Sequence, residues 1–145
     1  MGRIMAIDYG RKRTGIAVTD ILQLIANGLE TVPSVEIINF LKKYFDKEEV
    51  ELVVVGCPKQ MNNTDSESVV YVNEFIKRFE KEFPQKKYIF ADERFTSKIA
   101  FQTMIDGGLK KIQRQDKAMI DKVSATIILQ SYLEMRTNIS NLNLE

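Results

Sequence analysis

The sequence predicts an α/β domain on a mixed five-stranded sheet, three antiparallel strands and then two parallel ones, with helices on both faces. Two observations predict it. Three strand-like runs come first, separated only by short turns, and connections that short join antiparallel neighbours. After Pro33 the hydrophobic period lengthens toward 3.6, and the later strands alternate with helices, as strands that enter a sheet in parallel do.

The runs at 3–8 and 14–19 are the first two strands, and a weaker run at 24–32 is the third. Turn chemistry at Gly10 and Asp20 separates them. Ser34 is placed to cap a helix whose inner face carries Ile38, Leu41 and Phe45. "ELVVVG" at 51–56 reads as a buried strand. Thr64 and Glu67 form a capping box before a helix with Val69, Val72, Ile76 and Phe79 on one stripe. "KKYIFAD" at 86–92 is the fifth strand. Thr96 caps a helix that Gly107-Gly108 stops, and Asp116 caps a last helix reaching about Met135. The domain is expected over 1–137, with 138–145 a polar, frayed tail. Ribonuclease-H-like domains have this order of elements.

Composition excludes several classes of chemistry. The chain has 145 residues, one cysteine and no histidine. Disulfides within the chain, cysteine-rich zinc sites and every Ser-His or Cys-His arrangement are thereby ruled out. Proton and charge handling falls to Asp, Glu, Lys, Tyr or a metal-bound water. The net charge of +1 favours no partner by itself, so any basic surface is local. No apolar run reaches membrane-spanning length, and Asp8 with the basic turn interrupts what a signal peptide would need. A cytoplasmic location is expected.

Asp8 stands at the end of the buried run Ile4, Met5, Ala6 and Ile7, where an unpaired carboxylate is costly. In the expected sheet, strands 1, 4 and 5 share one carboxyl edge, the place where open α/β sheets form their sites. Asp8 ends the first of these strands and Asp92-Glu93 the last. Asp121 lies in the final helix on the side shared by Ser124, Ala125, Ile128 and Tyr132. Carboxylates converging from separate elements repel one another unless a cation lies between them. Two magnesium ions about 3.5–4 Å apart could then activate a water and hold the leaving oxygen of a phosphodiester, with no histidine. Each acid also has an ordinary reading: Asp8 in a turn, Glu93 paired with Arg94 or Lys98, and Asp121 paired with Lys117.

The stretches "AIDYGRKRTGIAV", "VVGCPKQMNNT", "DERFTS" and "DKVSATIILQSYL" together resemble the YqgF family. That family is described as pre-16S ribosomal RNA nucleases and as Holliday-junction-resolvase-like, with a ribonuclease-H-like fold. The resemblance spans Arg3 to Leu133 and places the family's acids on Asp8, Glu93 and Asp121, as catalytic residues and as ligands of Mg2+ or Mn2+. It implies metal-dependent cleavage of structured nucleic acid, namely trimming of the 5′ end of pre-16S rRNA, free or in a pre-ribosomal particle. Three positions depart from the pattern. Cys57 replaces an apolar residue, and Asn62-Asn63 replaces Asp-Gly. True junction resolvases carry an acid at the end of strand 4, where Gly56 and Pro58 stand here, so cleavage of branched DNA is the alternative.

Basic residues flank the acids: Arg11, Lys12 and Arg13 after Asp8, Arg94 and Lys98 beside Glu93, and Lys110, Lys111, Arg114 and Lys117 before Asp121. They suit a phosphate backbone, while residues 109–117 equally suit a solvated loop. Tyr9 could stack on a base or pack in the core. Two other functions compete. "DYGRKRTG" also looks like the phosphate loop of actin-like ATPases, though those have two such domains. A ribonuclease-H-like module could also grip RNA without cutting it.

Overall fold

The run Ile4, Met5, Ala6 and Ile7 is buried throughout, and so is Val53 to Val55, because each strand is covered on both faces. In the computed structural model, which describes residues 2–56, 67–91 and 117–143, these runs lie side by side at the sheet centre. Strand β1 (Arg3–Tyr9) pairs antiparallel with β2 (Arg13–Thr19), which pairs antiparallel with β3 (Ala26–Pro33). On its other side β1 pairs parallel with β4 (Val50–Gly56), and β4 with β5 (Tyr88–Ala91). The order is β3-β2-β1-β4-β5, as the connection lengths predict. Helix α1 (Ile37–Lys47) joins β3 to β4. Helix α2 (Glu67–Glu82) lies between β4 and β5 in the chain, and α3 (Lys117–Asn143) comes last.

Alternation along the strands divides the core in two. Met5 and Ile7 of β1, with Ile16, Val18, Val53 and Val55, pack against α1 and α2 through Ile37, Leu41, Val72, Phe75, Ile76 and Phe79. Ile4 and Ala6, with Ala17, Val54 and Ala91, pack against Ala125, Leu129 and Leu133 of α3. The small side chains on this second face let α3 lie close to the sheet. The inner stripe of α2 includes Val72, Ile76 and Phe79 as expected; the side chain of Val69 lies outside the described residues.

Four features differ from the sequence-based expectation. Ser34 does not cap a helix: it begins a 3-10 turn (Ser34–Glu36), and its buried hydroxyl donates to the Gly10 carbonyl. Strand β3 starts at Ala26, because the Leu24 and Ile25 amides donate to the Asp20 carboxylate at 2.8 and 2.9 Å. Strand β5 starts at Tyr88, because the Lys86 amide closes a turn onto the Phe83 carbonyl at 3.0 Å. Helix α3 runs to Asn143 instead of ending near Met135. Residues 136–143 contain no Gly or Pro, and prolonging a formed helix is far easier than starting one. The Thr64 cap, the helix after Thr96 and the Asp116 cap fall outside the described residues. Among the described residues no helix is long and apolar enough to cross a membrane.

Candidate active site

Parallel pairing of β1, β4 and β5 brings their carboxyl ends to one edge, with Ile7 opposite Val55 and Gly56 opposite Ala91. Asp8 follows Ile7 in β1, half-buried and opposite Gly15 of β2. Alternation puts its side chain on the face of Ile4 and Ala6, the α3 face. A Cβ built on Gly56 would lie 3.7 Å from Asp8 Oδ1 and 2.6 Å from Ile128 Cδ1 of α3. The carboxylate, the end of β4 and the last helix therefore meet closely, at a separation that only glycine at 56 permits.

Helix α3 runs antiparallel to β1. Near its carboxyl end the Arg136 guanidinium donates to Gln23 Oε1 at 2.8 Å, and Gln23 in turn donates to the Gly2 carbonyl at 2.6 Å, at the start of β1. Its amino half therefore lies toward the Asp8 edge. Asp121 is two turns before Ile128 and one turn before Ala125, on the side of α3 that packs against the sheet. Only its backbone position is described. Glu93, two residues beyond Ala91, lies outside the described residues, as does Asp92. Of the three expected acids the structure places Asp8 and the helical position of Asp121. Among the described residues no three side chains capable of ligating a metal cluster together.

The donor set suits a hard divalent ion. Asp8 supplies hard carboxylate oxygen near the carboxyl end of β1, the kind of donor that Mg2+ and Mn2+ take.

The basic turn lies at the same edge. Arg11 and Lys12 are exposed and Arg13 is half-buried. The Arg11 guanidinium lies over the ring of Tyr71 in α2, 5.5 Å from its centroid. Lys117 opens α3, its side chain undescribed. Arg94, Lys98, Lys110, Lys111, Arg114 and Cys57 lie outside the described residues. Tyr9 packs inward: its ring stacks on Phe75 at 4.7 Å, so one face is closed to a base. Burial raises its pKa, Arg78 lowers it, and Glu74 raises it again, for a net upward shift. Three residues at this edge were not singled out for it by sequence reasoning. They are Tyr71 and the buried hydroxyls of Thr14 and Ser34, which bond at 2.8 Å. A threonine at the head of the apolar run of β2 was the available signal.

A model of the family described as RuvX, Holliday junction resolvase, matches residues 2–135. The chain belongs to the RuvX family. This is the YqgF family of the four motifs. RuvX relatives named "Putative pre-16S rRNA nuclease" include one from Phocaeicola vulgatus, 57% identical over 94% of this chain and 98% of its own length. Another, from Flavobacterium johnsoniae, is 59% identical over 94% of this chain and 99% of its own. Among solved structures, T. thermophilus RuvC in complex with Holliday junction substrate superposes with a TM-score of 0.60 at 16% identity. The match covers 94% of this chain and 96% of that one. A second T. thermophilus RuvC structure gives 0.54 at 14% identity over 93% and 97%. At such identities the likeness is one of fold, and this RuvX chain has the ribonuclease-H-like sheet of those proteins.

Proposed function

We propose that this chain is a nuclease dependent on Mg2+ or Mn2+ that trims the 5′ end of pre-16S rRNA in the cytoplasm. The observation that carries the reading is the position of Asp8. It lies next to the carboxyl end of the central strand, on the face of the last helix, where α3 and the end of β4 come together. The names of the RuvX relatives support the substrate. Asp8, Glu93 and Asp121 would hold the metal, as two ions. When bound, such ions supply Lewis-acid stabilisation of phosphoryl oxygens and a nucleophilic water at neutral pH.

The protein's own part is positioning. Strand β1 is paired on both sides as far as Ile7, and Asp8 continues the pairing with Gly15 of β2, which holds its carboxylate to one edge. Small residues under α3 hold the Asp121 position down toward that edge. The basic turn draws the phosphate backbone in without reading sequence.

Asp8→Asn tests this directly. The expected result is loss of Mg2+- or Mn2+-dependent cleavage of a pre-16S 5′ fragment, with an unchanged circular dichroism spectrum and melting transition. Equal cleavage by the variant and the parent would overturn the reading. Cleavage of a four-way DNA junction is the second reading, favoured by the fold shared with RuvC. Strand β4 ends in Gly56 with no acid, and a side chain there would collide with Ile128, so the RNA fragment is expected to be cut and the junction spared.

A further inference from the structure

The exposed Arg11 is held from two directions. On one side its guanidinium lies over Tyr71. Tyr71 stands one turn before Phe75 in α2, and Phe75 carries the ring of Tyr9, so Tyr9 and Arg11 form successive rungs against one helix. Asp8, just before Tyr9, belongs to the opposite face of the strand.

On the other side the turn itself is clamped. The Gly10 amide donates to the Arg13 carbonyl at 3.0 Å, and a Cβ on Gly10 would come within 2.5 Å of that oxygen. The Ser34 amide donates to the Lys12 carbonyl at 3.0 Å. The Ser34 hydroxyl donates to the Gly10 carbonyl. A carbonyl can only accept, so the single Ser34 proton is committed there, and Thr14 must be the donor in the bond at 2.8 Å between the two hydroxyls. Thr14 and Ser34 are 0% and 2% exposed. A buried pair of hydroxyls is retained without loss only when both are bonded, and here their bonds fix the turn that carries Arg11 and Lys12.

An arginine on an exposed turn is ordinarily free, and a ligand that binds it must first immobilise it. Here much of that ordering precedes any ligand. The guanidinium carbon lies 5.5 Å from the centroid of the Tyr71 ring, and the residue is otherwise exposed, which leaves room for a second partner. We propose that Arg11 is a preformed contact for an unpaired nucleotide. Its N–H edge takes a phosphate, its open face takes the base, and Tyr71, Ser34 and Thr14 are positioning residues. Only an unpaired strand can offer a base face and a phosphate together. The contact lies across the strand end from the Asp8 carboxylate, so a strand held there passes the proposed cleavage edge. Taking nucleic acid as the ligand rests on the nuclease reading.

The test is equilibrium binding of a single-stranded RNA and a duplex of the same sequence, using the full chain carrying Asp8→Asn. In this protein, Arg11→Ala weakens the single strand more than the duplex. The slope of log affinity against log salt falls by about 0.7, the single-strand value for one phosphate. Tyr71→Leu weakens single-strand binding about two- to fivefold, and has no further effect once Arg11→Ala is present. Tyr71→Phe, which keeps the ring face, retains the parental affinity and shows that the loss is not one of folding. Equal losses on duplex and single strand, a Tyr71→Leu loss that adds to that of Arg11→Ala, or no loss in either variant would each overturn the proposal. Binding needs no cleavage, so this failure is distinct from that of the nuclease reading, which the parental chain's cleavage decides.

Discussion

Ile128 Cδ1 lies 2.6 Å from the point where a Cβ on Gly56 would stand, so α3 and the end of β4 meet at a separation only glycine permits. Gly56→Ala must move that methyl group or the helix behind it. The obstructing atom is the far end of a flexible side chain, which limits the cost to about 1–2 kcal/mol by urea unfolding. Cleavage is expected to fall further than stability does, because α3 also carries Asp121. Adding Ile128→Val removes the obstructing methyl and should recover most of the lost stability. Additive losses in the double variant would show that the two residues do not collide.

The tie between Arg136 and Gln23 is expected to be a stability element remote from the site. The guanidinium donates to Gln23 Oε1 at 2.8 Å and to its carbonyl at 3.2 Å. Gln23 takes a left-handed backbone with φ of 60°, and its amide also donates to the Gly2 carbonyl and to Glu51. Arg136→Ala should cost about 1–3 kcal/mol, the range for hydrogen bonds to a charged donor, and leave turnover of an RNA substrate unchanged. Gln23→Ala should then cost less in the Arg136→Ala protein than in the parent. Full additivity would contradict a shared network.

What could be read in advance was whatever local spacing encodes. The uninterrupted run at Ile4–Ile7 and the one at Val53–Val55 mark central strands, and short turns against long crossovers settle which pairs run antiparallel. Asp8 was legible because a carboxylate at the end of a buried run demands a reason. Partnerships between distant residues left no such trace. Ser34 follows Pro33 just as a cap would, yet its hydroxyl goes to Gly10, twenty-four residues earlier. The loop "DILQLI" inverts the usual pattern. Ile21, Leu22, Leu24 and Ile25 are exposed while Asp20 and Gln23 make its bonds, so its apolar residues imitate the start of a strand. The end of α3 escaped because polar residues signal fraying only where no helix already stands to be extended.

The same loop predicts acid sensitivity. The Asp20 carboxylate accepts the amides of Ile25 and Leu24, and the Ile25 bond is the first cause of a pKa below the ordinary aspartate value of 3.8. Glu51 is lowered from 4.5, chiefly by the Gln23 side chain. A folded-state pKa below the unfolded one gives stability that is present above the unfolded value and is lost as pH falls through the folded value. Unfolding followed from pH 6 downward should therefore show stability level to about pH 5 and declining beneath it. Asp20→Asn keeps an acceptor oxygen without the charge, and should flatten part of that decline. An acid limb unchanged in Asp20→Asn would remove Asp20 as a contributor.

The Thr14–Ser34 pair gives the sharpest thermodynamic test, because both hydroxyls are buried and each depends on the other. Ser34→Ala leaves the Thr14 hydroxyl without its acceptor and the Gly10 carbonyl without its donor, away from water that could replace them. The expected cost is about 1–3 kcal/mol. Thr14→Val alone removes a donor to Ser34 but leaves the Ser34 bond to Gly10 intact, so it should cost less. Combining the two removes the stranded hydroxyl of the first variant, and the double variant should be more stable than the sum of the single losses implies. Urea unfolding of the four proteins closes the cycle. A coupling indistinguishable from zero would mean that the two hydroxyls, although in contact, do not support one another.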